Sequence, residues 1–570
     1  MNKILIFVLT SILLFSCKTK KEPPKVSSEK TEVIHCAPLT TDKAWYSSNT
    51  KAPLLNGLEG IDFVISTINK EAQRYFNQGL MLAYGFNHAE AARSFYEATR
   101  IDSTCAMAYW GFAYVLGPNY NAGMEDDNYQ RAYQASQKAL QLSIAATEKE
   151  QALIKALSFR YAPTPPKDRH SLDSAYSAAM KKVQQQFPND PDVNALYVES
   201  IMDMHPWDLY VKKTKEPRPW TPEIVAILES LIKKYPKHPG APHFYIHAVE
   251  ASKHPERALA SADLLLTLVP GSGHLVHMPS HIYIWTGDYH KGSIANSEAV
   301  KIDSAYVTTC HAQGAYPLSY FPHNYHYLTA TATFEGNEKL AWEAAMKVRA
   351  RTAEEIMRQP GWGTLQHYYT IPYYVAVKFQ LWDTILAIKP GFNDLIYPKA
   401  ILHYARGMAL VAKEKISEAE KEWEALSAIS KDPGLKEITI WGINSSEDIV
   451  RIATNVLAAQ LHRAKKDYAK AIELYKVAIE IEDNLNYDEP PDWFFSVRHF
   501  LGGVYLECGK FKEAEKTYRE DLTTYKDNGW ALFGLFLSLK NQAKPEATSV
   551  KKKFDESWRY ANTPIEKIIQ

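Results

Sequence analysis

The residues best placed to do chemistry are histidines, and they are crowded. Eleven of the 19 histidines fall between His238 and His326, where an even spread over 570 residues would put about three. Their spacing also repeats. His243 and His277 lie 34 residues apart, and so do His247 and His281. Glu250 follows three residues after His247, His274 precedes His277 by three, and His323 and His326 repeat that step. Steps of three and four hold side chains on one face of a 3.6-residue helix. The pattern therefore predicts three neighbouring stripes: His243, His247 and Glu250; His274, His277 and His281; His323 and His326. The third stripe has Ala330 where a further imidazole would stand, and His367 with Tyr374 continues the series as candidate supporting residues. Neutral imidazole is a good ligand for Zn, Cu or Fe(II), and Glu250 offers a carboxylate for a mixed nitrogen–oxygen set. Three or four of these side chains would bind one ion, with the rest orienting them. His243 is followed by Phe244 and Tyr245, so the HExxH pattern of zinc proteases is absent.

The elements that must position this set have a 34-residue period, which is that of the tetratricopeptide repeat, a pair of packed helices. Tyr75, Gly79, Leu82, Ala91, Phe95 and Ala98 fill its slots once, and Pro242, Tyr245, Val249, Ala258, Leu265 and Pro270 fill them again. Later copies run through Gly407, Leu410, Ala419 and Trp423, through Ala459, Ala471, Tyr475 and Ala478, and through Leu501, Gly502, Tyr505, Ala514 and Tyr518. The fold class expected is all-α: a solenoid, or superhelix, of tetratricopeptide-type helix pairs. Pro/Trp-rich insertions interrupt it at His205–Pro222 and Glu489–Trp493, and they read as loops pinned by proline and buried tryptophan. The histidine stripe lies off the packing face, so it is expected to line the concave groove that such solenoids use for binding.

Three readings of the stripe stand side by side: a transition-metal site, a metal-free groove for a peptide, acidic ligand or glycan, and buried structural histidines. His88, His205 and His311 read as structural or capping residues. Catalytic residues are not assigned. The chain has no Ser–His–Asp signature, Walker loop or GxGxxG; a metal-dependent hydrolase or oxidase ranks behind a binding protein. Equal numbers of basic and acidic residues, 65 each, argue against nucleic acid as a partner. A mean hydropathy of −0.33 excludes a multi-pass membrane protein.

The N-terminus reads as an address. Met1-Asn2-Lys3 is followed by an apolar stretch, Ile4 to Phe15, too short to span a bilayer. Leu14-Phe15-Ser16-Cys17 resembles the lipobox of bacterial lipoproteins. That resemblance implies cleavage before Cys17, lipidation of Cys17, and a place in the bacterial cell envelope on the outer membrane. The domain scheme is then a signal peptide over 1–17, a tether and leading segment over 18–60, and the solenoid over 61–565, with His-rich repeats at about 238–380. Cys36, Cys105, Cys310 and Cys508 are too widely spaced to predict a disulfide or a CxxC motif.

Several stretches resemble a group of bacterial tetratricopeptide-repeat proteins, many of them lipoproteins. They include Phe76-Asn77-Gln78-Gly79-Leu80, Cys105-Ala106-Met107-Ala108-Tyr109-Trp110-Gly111, His274-Leu275-Val276-His277-Met278-Pro279-Ser280-His281-Ile282-Tyr283, and Asn528-Gly529-Trp530-Ala531-Leu532. The resemblance covers nearly the whole folded body and implies the repeat fold, but no reaction. The partners expected are an envelope protein, peptide or small ligand in the groove, and the membrane through the lipid anchor.

Overall fold

Glycines 32 residues apart, each 16 from the aromatic ring between them, set the helix packing. A Cβ on Gly79 would lie 2.9 Å from the Phe95 ring, and one on Gly111 only 2.3 Å from it. Near the other end, Cβ atoms on Gly502 and Gly534 would meet the Tyr518 ring at 2.4 and 2.1 Å. In both repeats the aromatic ring of the second helix is clasped between a glycine of its own first helix and a glycine of the next one. This lets successive hairpins approach closely.

The computed structural model describes residues 43–48, 50–310, 316–392, 394–493 and 495–565. Lys70–Tyr84 pairs with His88–Ile101, Ala106–Leu116 with Asn128–Leu142, and so on to Gly529–Asn541 with Ala547–Ser557. Side-chain caps begin many of these helices. Asn69 Oδ1 accepts from the Glu71 and Ala72 amides, Thr147 and Glu150 form a capping box, and Asn528 caps the helix that follows it. Such caps contribute about 0.5–2 kcal/mol each. The one sheet among the described residues is a short antiparallel hairpin, Thr439–Ile440 with Asn444–Ser445. No described helix is long and apolar enough to cross a membrane.

First helices in the central repeats are buried on every side. Each residue of Gly240–Val249 and of Gly363–Lys378 is buried, and helices of that kind lie inside a larger body. Pro279 divides the helix of the second stripe into Gly273–His277 and Ser280–Thr286. Hydrophobic packing falls into two large clusters that meet around residues 283–320, and the histidines lie close to that junction.

The insertions reach into the interior. Trp207 stacks on Tyr120 with ring centroids 5.5 Å apart, Trp220 Nε1 donates to the Asp208 carbonyl at 2.9 Å, and Trp493 is buried against Tyr374 and Tyr404. The sequence places the stripe on an open groove; in the structure these insertions fold over it, and His274, His281 and His323 share the wall of a cavity with Trp207 and Glu489. The side chains of the stripe are therefore 0–9% exposed.

Residues 50–60, the end of the expected tether and leading segment, pack on the solenoid; Ala52 and Leu58 are buried, and Gly271 N donates to the Gly57 carbonyl at 2.9 Å. The proposed signal peptide, the lipidation site Cys17, Cys36 and His311 lie outside the described residues. Cys105, Cys310 and Cys508 are free thiols.

Candidate metal centre

Three sets of ligand atoms converge near the middle of the chain. His243, His247 and His274 form one; His277, His281 and His323 form another; His247, Glu250, His281 and Glu489 form the third. Within each set the ligating atoms lie within 4.8 Å of one another. Ligands at about 2.0–2.1 Å from one ion stand about 3.3 Å apart in a tetrahedron, so binding would widen the 2.7 Å gap between His277 and His281 Nε2 and draw the wider pairs inward. The Nε2 atoms of His243 and His274 are already 3.2 Å apart.

Hydrogen bonds assign the tautomers. Asn296 Nδ2 donates to the Gly292 carbonyl at 2.8 Å, which turns Oδ1 toward His277 Nδ1 at 2.7 Å. His277 Nδ1 must donate there, so His277 Nε2 carries a lone pair. His281 Nδ1 faces Glu250 Oε2 at 2.6 Å and Glu489 Oε2 at 2.7 Å, so it donates as well. His243 Nδ1 donates to the Tyr84 carbonyl at 2.6 Å, and His247 Nδ1 to Glu250 Oε1 at 2.8 Å. Four imidazoles thus present Nε2 lone pairs to a buried interior. His277 Nε2 and His281 Nε2 stand 2.7 Å apart, and His247 Nε2 has no hydrogen-bond partner. A proton could bridge the 277–281 pair if His281 were charged, but it would leave His247 Nε2 bare. A buried acceptor without a donor costs about 1–3 kcal/mol, and cations bound by several of these nitrogens would satisfy them together.

Burial holds the imidazoles in the form that binds metal. It pushes His243 and His277 down to about 3, and His247, His274 and His323 well below the usual histidine value, with the neighbouring imidazoles adding to the effect. Burial, and then the charge of Glu489, push the Glu250 carboxyl well above the usual range. Two carboxylates this close in a dry interior hold a shared proton or a cation.

A cavity of about 420 Å³ reaches the centre, and His274, His281, His323 and Glu489 stand in its wall beside Tyr120, Trp207, Tyr320 and Trp441. Both three-histidine sets therefore contribute a residue to the same chamber.

The pairing differs from the sequence expectation in particulars. His274 turns toward His243, whereas His277, three residues on, turns toward His323, with ring centroids 4.9 Å apart. Of the pair His323 and His326, only His323 joins a ligand set. His326 stacks edge-on to His367 at 5.5 Å, and His367 Nδ1 bonds the Tyr397 hydroxyl at 2.7 Å, with Tyr374 3.4 Å beyond. These residues make a neighbouring buried polar cluster and belong to none of the three ligand sets. His205 stacks flat on Trp220 at 3.6 Å, a structural contact.

Sequence reasoning missed Glu489, which lies in an insertion read as a pinned loop, and Asn296, which fixes His277. The one available signal for Glu489 was the density of acids among prolines in Asp488-Glu489-Pro490-Pro491-Asp492. Asn296 carried none.

Comparison with known proteins agrees with the helix-pair geometry. Residues 497–529 match the tetratricopeptide repeat family model. The chain is an all-α tetratricopeptide-type solenoid. No curated protein matches it. Among solved structures, this solenoid is similar to the human IFIT1 dimer with m7Gppp-AAAA, at 12% identity over 88% of this chain and 92% of that one, TM-score 0.30. It is also similar to the APC/C hetero-tetramer Cut9–Hcn1, at 16% identity over 85% and 76%, TM-score 0.29.

Proposed function

We propose that this solenoid is a transition-metal-binding lipoprotein of the bacterial cell envelope, holding Zn or Cu in its buried three-histidine sets. The single observation that carries the reading is the 2.7 Å approach of two Nε2 atoms whose Nδ1 atoms both already donate. His243, His247 and His274 would hold one ion, and His277, His281 and His323 a second, with Glu250 and Glu489 between them. Imidazole nitrogen suits Zn and Cu, and hydrogen bonds from each Nδ1 to Asn296, Glu250, Glu489 or a backbone carbonyl are the outer contacts that orient metal-ligating histidines. The lipid anchor on Cys17 belongs to the same proposal and places the protein on the outer membrane.

Elemental analysis of the full chain, reconstituted with Zn or Cu and then desalted, tests the reading. The expected result is one to two retained equivalents, falling by at least one in His277→Ala/His281→Ala. No retained metal above background, with thermal stability unchanged by chelator, would overturn it.

A second reading, metal-dependent hydrolysis, is favoured by the chamber onto which both sets open. Three nitrogens leave a coordination position for water, and Glu489 stands in the same wall as a base. Metal-loaded and chelated protein would be compared on aryl esters; equal rates remove this reading and leave the binding site.

A further inference from the structure

A second chemical cluster lies outside the histidine centre. Lys378, the last residue of the helix Gly363–Lys378, is 8% exposed, and its Nζ lies 2.8 Å from His499 Nδ1. His499 Nε2 in turn lies 3.1 Å from Asp521 Oδ2, and Asp521 is 2% exposed. The carboxylate is itself held, accepting from Asn528 Nδ2 at 2.8 Å. An ionised carboxylate at Nε2 places the imidazole proton there, so Nδ1 is an acceptor aimed at the amine. On its other side the amine meets the face of Trp530, 3.8 Å from Nζ to the ring centroid, and Trp530 is fixed by its bond to the Thr333 carbonyl at 2.9 Å.

This order of groups has a chemical meaning: a nucleophile, a base within hydrogen-bond reach, and a third group orienting the base. The lysine is not buried in solid packing. It stands in the wall of a cavity of about 310 Å³ with His499 and Trp530, lined by Met408, Val411, Phe500 and Tyr518 and also by the charged Arg463, Lys466 and Glu507. That volume is at the small end of ligand sites, about 300–1,000 Å³. Burial pushes Lys378 down to about 7, so a large share of the amine is uncharged at neutral pH. A surface lysine is protonated and hydrated under the same conditions.

We propose that Lys378 is a nucleophilic amine that captures a small apolar aldehyde in this cavity as a Schiff base, with His499 as its proton acceptor and Asp521 positioning His499. The neutral Nζ attacks the carbonyl carbon and a C–N bond forms. The nitrogen passes a proton to His499 Nδ1, and the carbonyl oxygen takes up that proton to give a carbinolamine. Loss of the hydroxyl as water, with a second proton from the nitrogen, leaves the C=N bond. One aldehyde and one amine give one imine and one water, so no oxidant or reductant is required. The site is independent of the metal centre and stands whether or not metal binds.

Reductive trapping tests it on the full chain. Benzaldehyde and sodium cyanoborohydride are added at pH 7, and benzylated peptides are quantified over time by mass spectrometry. The expected result is that Lys378 labels at least about tenfold faster than the exposed Lys510, and that His499→Gln slows Lys378 about tenfold while Lys510 is unchanged. Labelling of Lys378 no faster than Lys510 in the unmodified chain overturns the proposal, however the variant folds. An undiminished Lys378 rate in His499→Gln removes the role given to His499 and Asp521.

Discussion

His277 and His281 stand on either side of Pro279 and aim their Nε2 atoms at each other across 2.7 Å. Each Nδ1 already donates, His277 to Asn296 and His281 to the two glutamates. With both imidazoles neutral, the pair is thus unfavourable when nothing lies between the two lone pairs and favourable when a cation does. His277→Leu should therefore change sign with metal. In chelator it unfolds within about 1 kcal/mol of the parent, because a repulsive contact is lost along with the hydrogen bond to Asn296. With metal at a thousandfold excess over its Kd, the parent gains about 4 kcal/mol that the variant gains only in part. Urea unfolding with and without metal gives both numbers; equal effects in the two conditions would make this pair structural.

The residues that hold the imidazoles should matter for affinity and not for stoichiometry. Glu489 and Glu250 share His281 Nδ1, and Asn296 fixes His277. Glu489→Gln and Asn296→Leu each remove one of these outer contacts and should weaken metal binding by about 10–100-fold. Competition titration against a chromophoric chelator measures the change. Total loss of binding in Glu489→Gln would make that carboxylate a direct ligand.

The helix-pair fold and the crowding of imidazoles were legible because both follow from local spacing. A 34-residue repeat carries His243 onto His277 and His247 onto His281, and the small-residue slots Gly79 and Gly502 mark close helix approach. Burial of the stripe was not legible, since it depends on where Trp207 and Glu489 fold back from insertions that carry no periodicity. The division of His274 from His277 was not legible either. Three residues apart on one helix, they turn to different neighbouring helices, and helix phase alone does not say which neighbour a side chain reaches. Lys378 had no signal, because its partners His499 and Asp521 come from distant repeats.

Acid should destabilise the protein through buried histidines outside the centre as well. His367 is fully buried, and burial holds it down to about 3, against about 6.5 in an unfolded chain. Folded His367 stays neutral while the unfolded chain takes up a proton below pH 6.5. Its contribution is therefore complete above pH 6.5 and is lost as pH falls toward 3. His367→Phe removes that titration and the bond to Tyr397. At neutral pH the variant should lose about 1 kcal/mol, and between pH 5.5 and 4 its stability should fall less steeply, by about 1.4 kcal/mol per pH unit. Urea unfolding across that range in chelator reads the slope; parallel curves for parent and variant would show that His367 is protonated in the folded state.

Alanine at the clasping glycines should destabilise, against the ordinary propensity trend. Within an exposed helix, Gly→Ala stabilises by about 0.5–1 kcal/mol. A Cβ on Gly534 would lie 2.1 Å from the Tyr518 ring, and Gly502 blocks the ring from the opposite side at 2.4 Å. The ring cannot yield, so Gly534→Ala must push apart the helices Phe511–Thr524 and Gly529–Asn541, at a cost of about 1–3 kcal/mol. Stability in a solenoid is a sum over neighbours, so the loss should stay local. Amide hydrogen exchange should quicken in Gly529–Asn541 and leave Lys70–Tyr84 unchanged. Tyr518→Leu in the same chain should recover part of the loss, because the shorter side chain leaves room for the methyl group. Uniform quickening along the whole chain would mean that the repeats unfold as one unit.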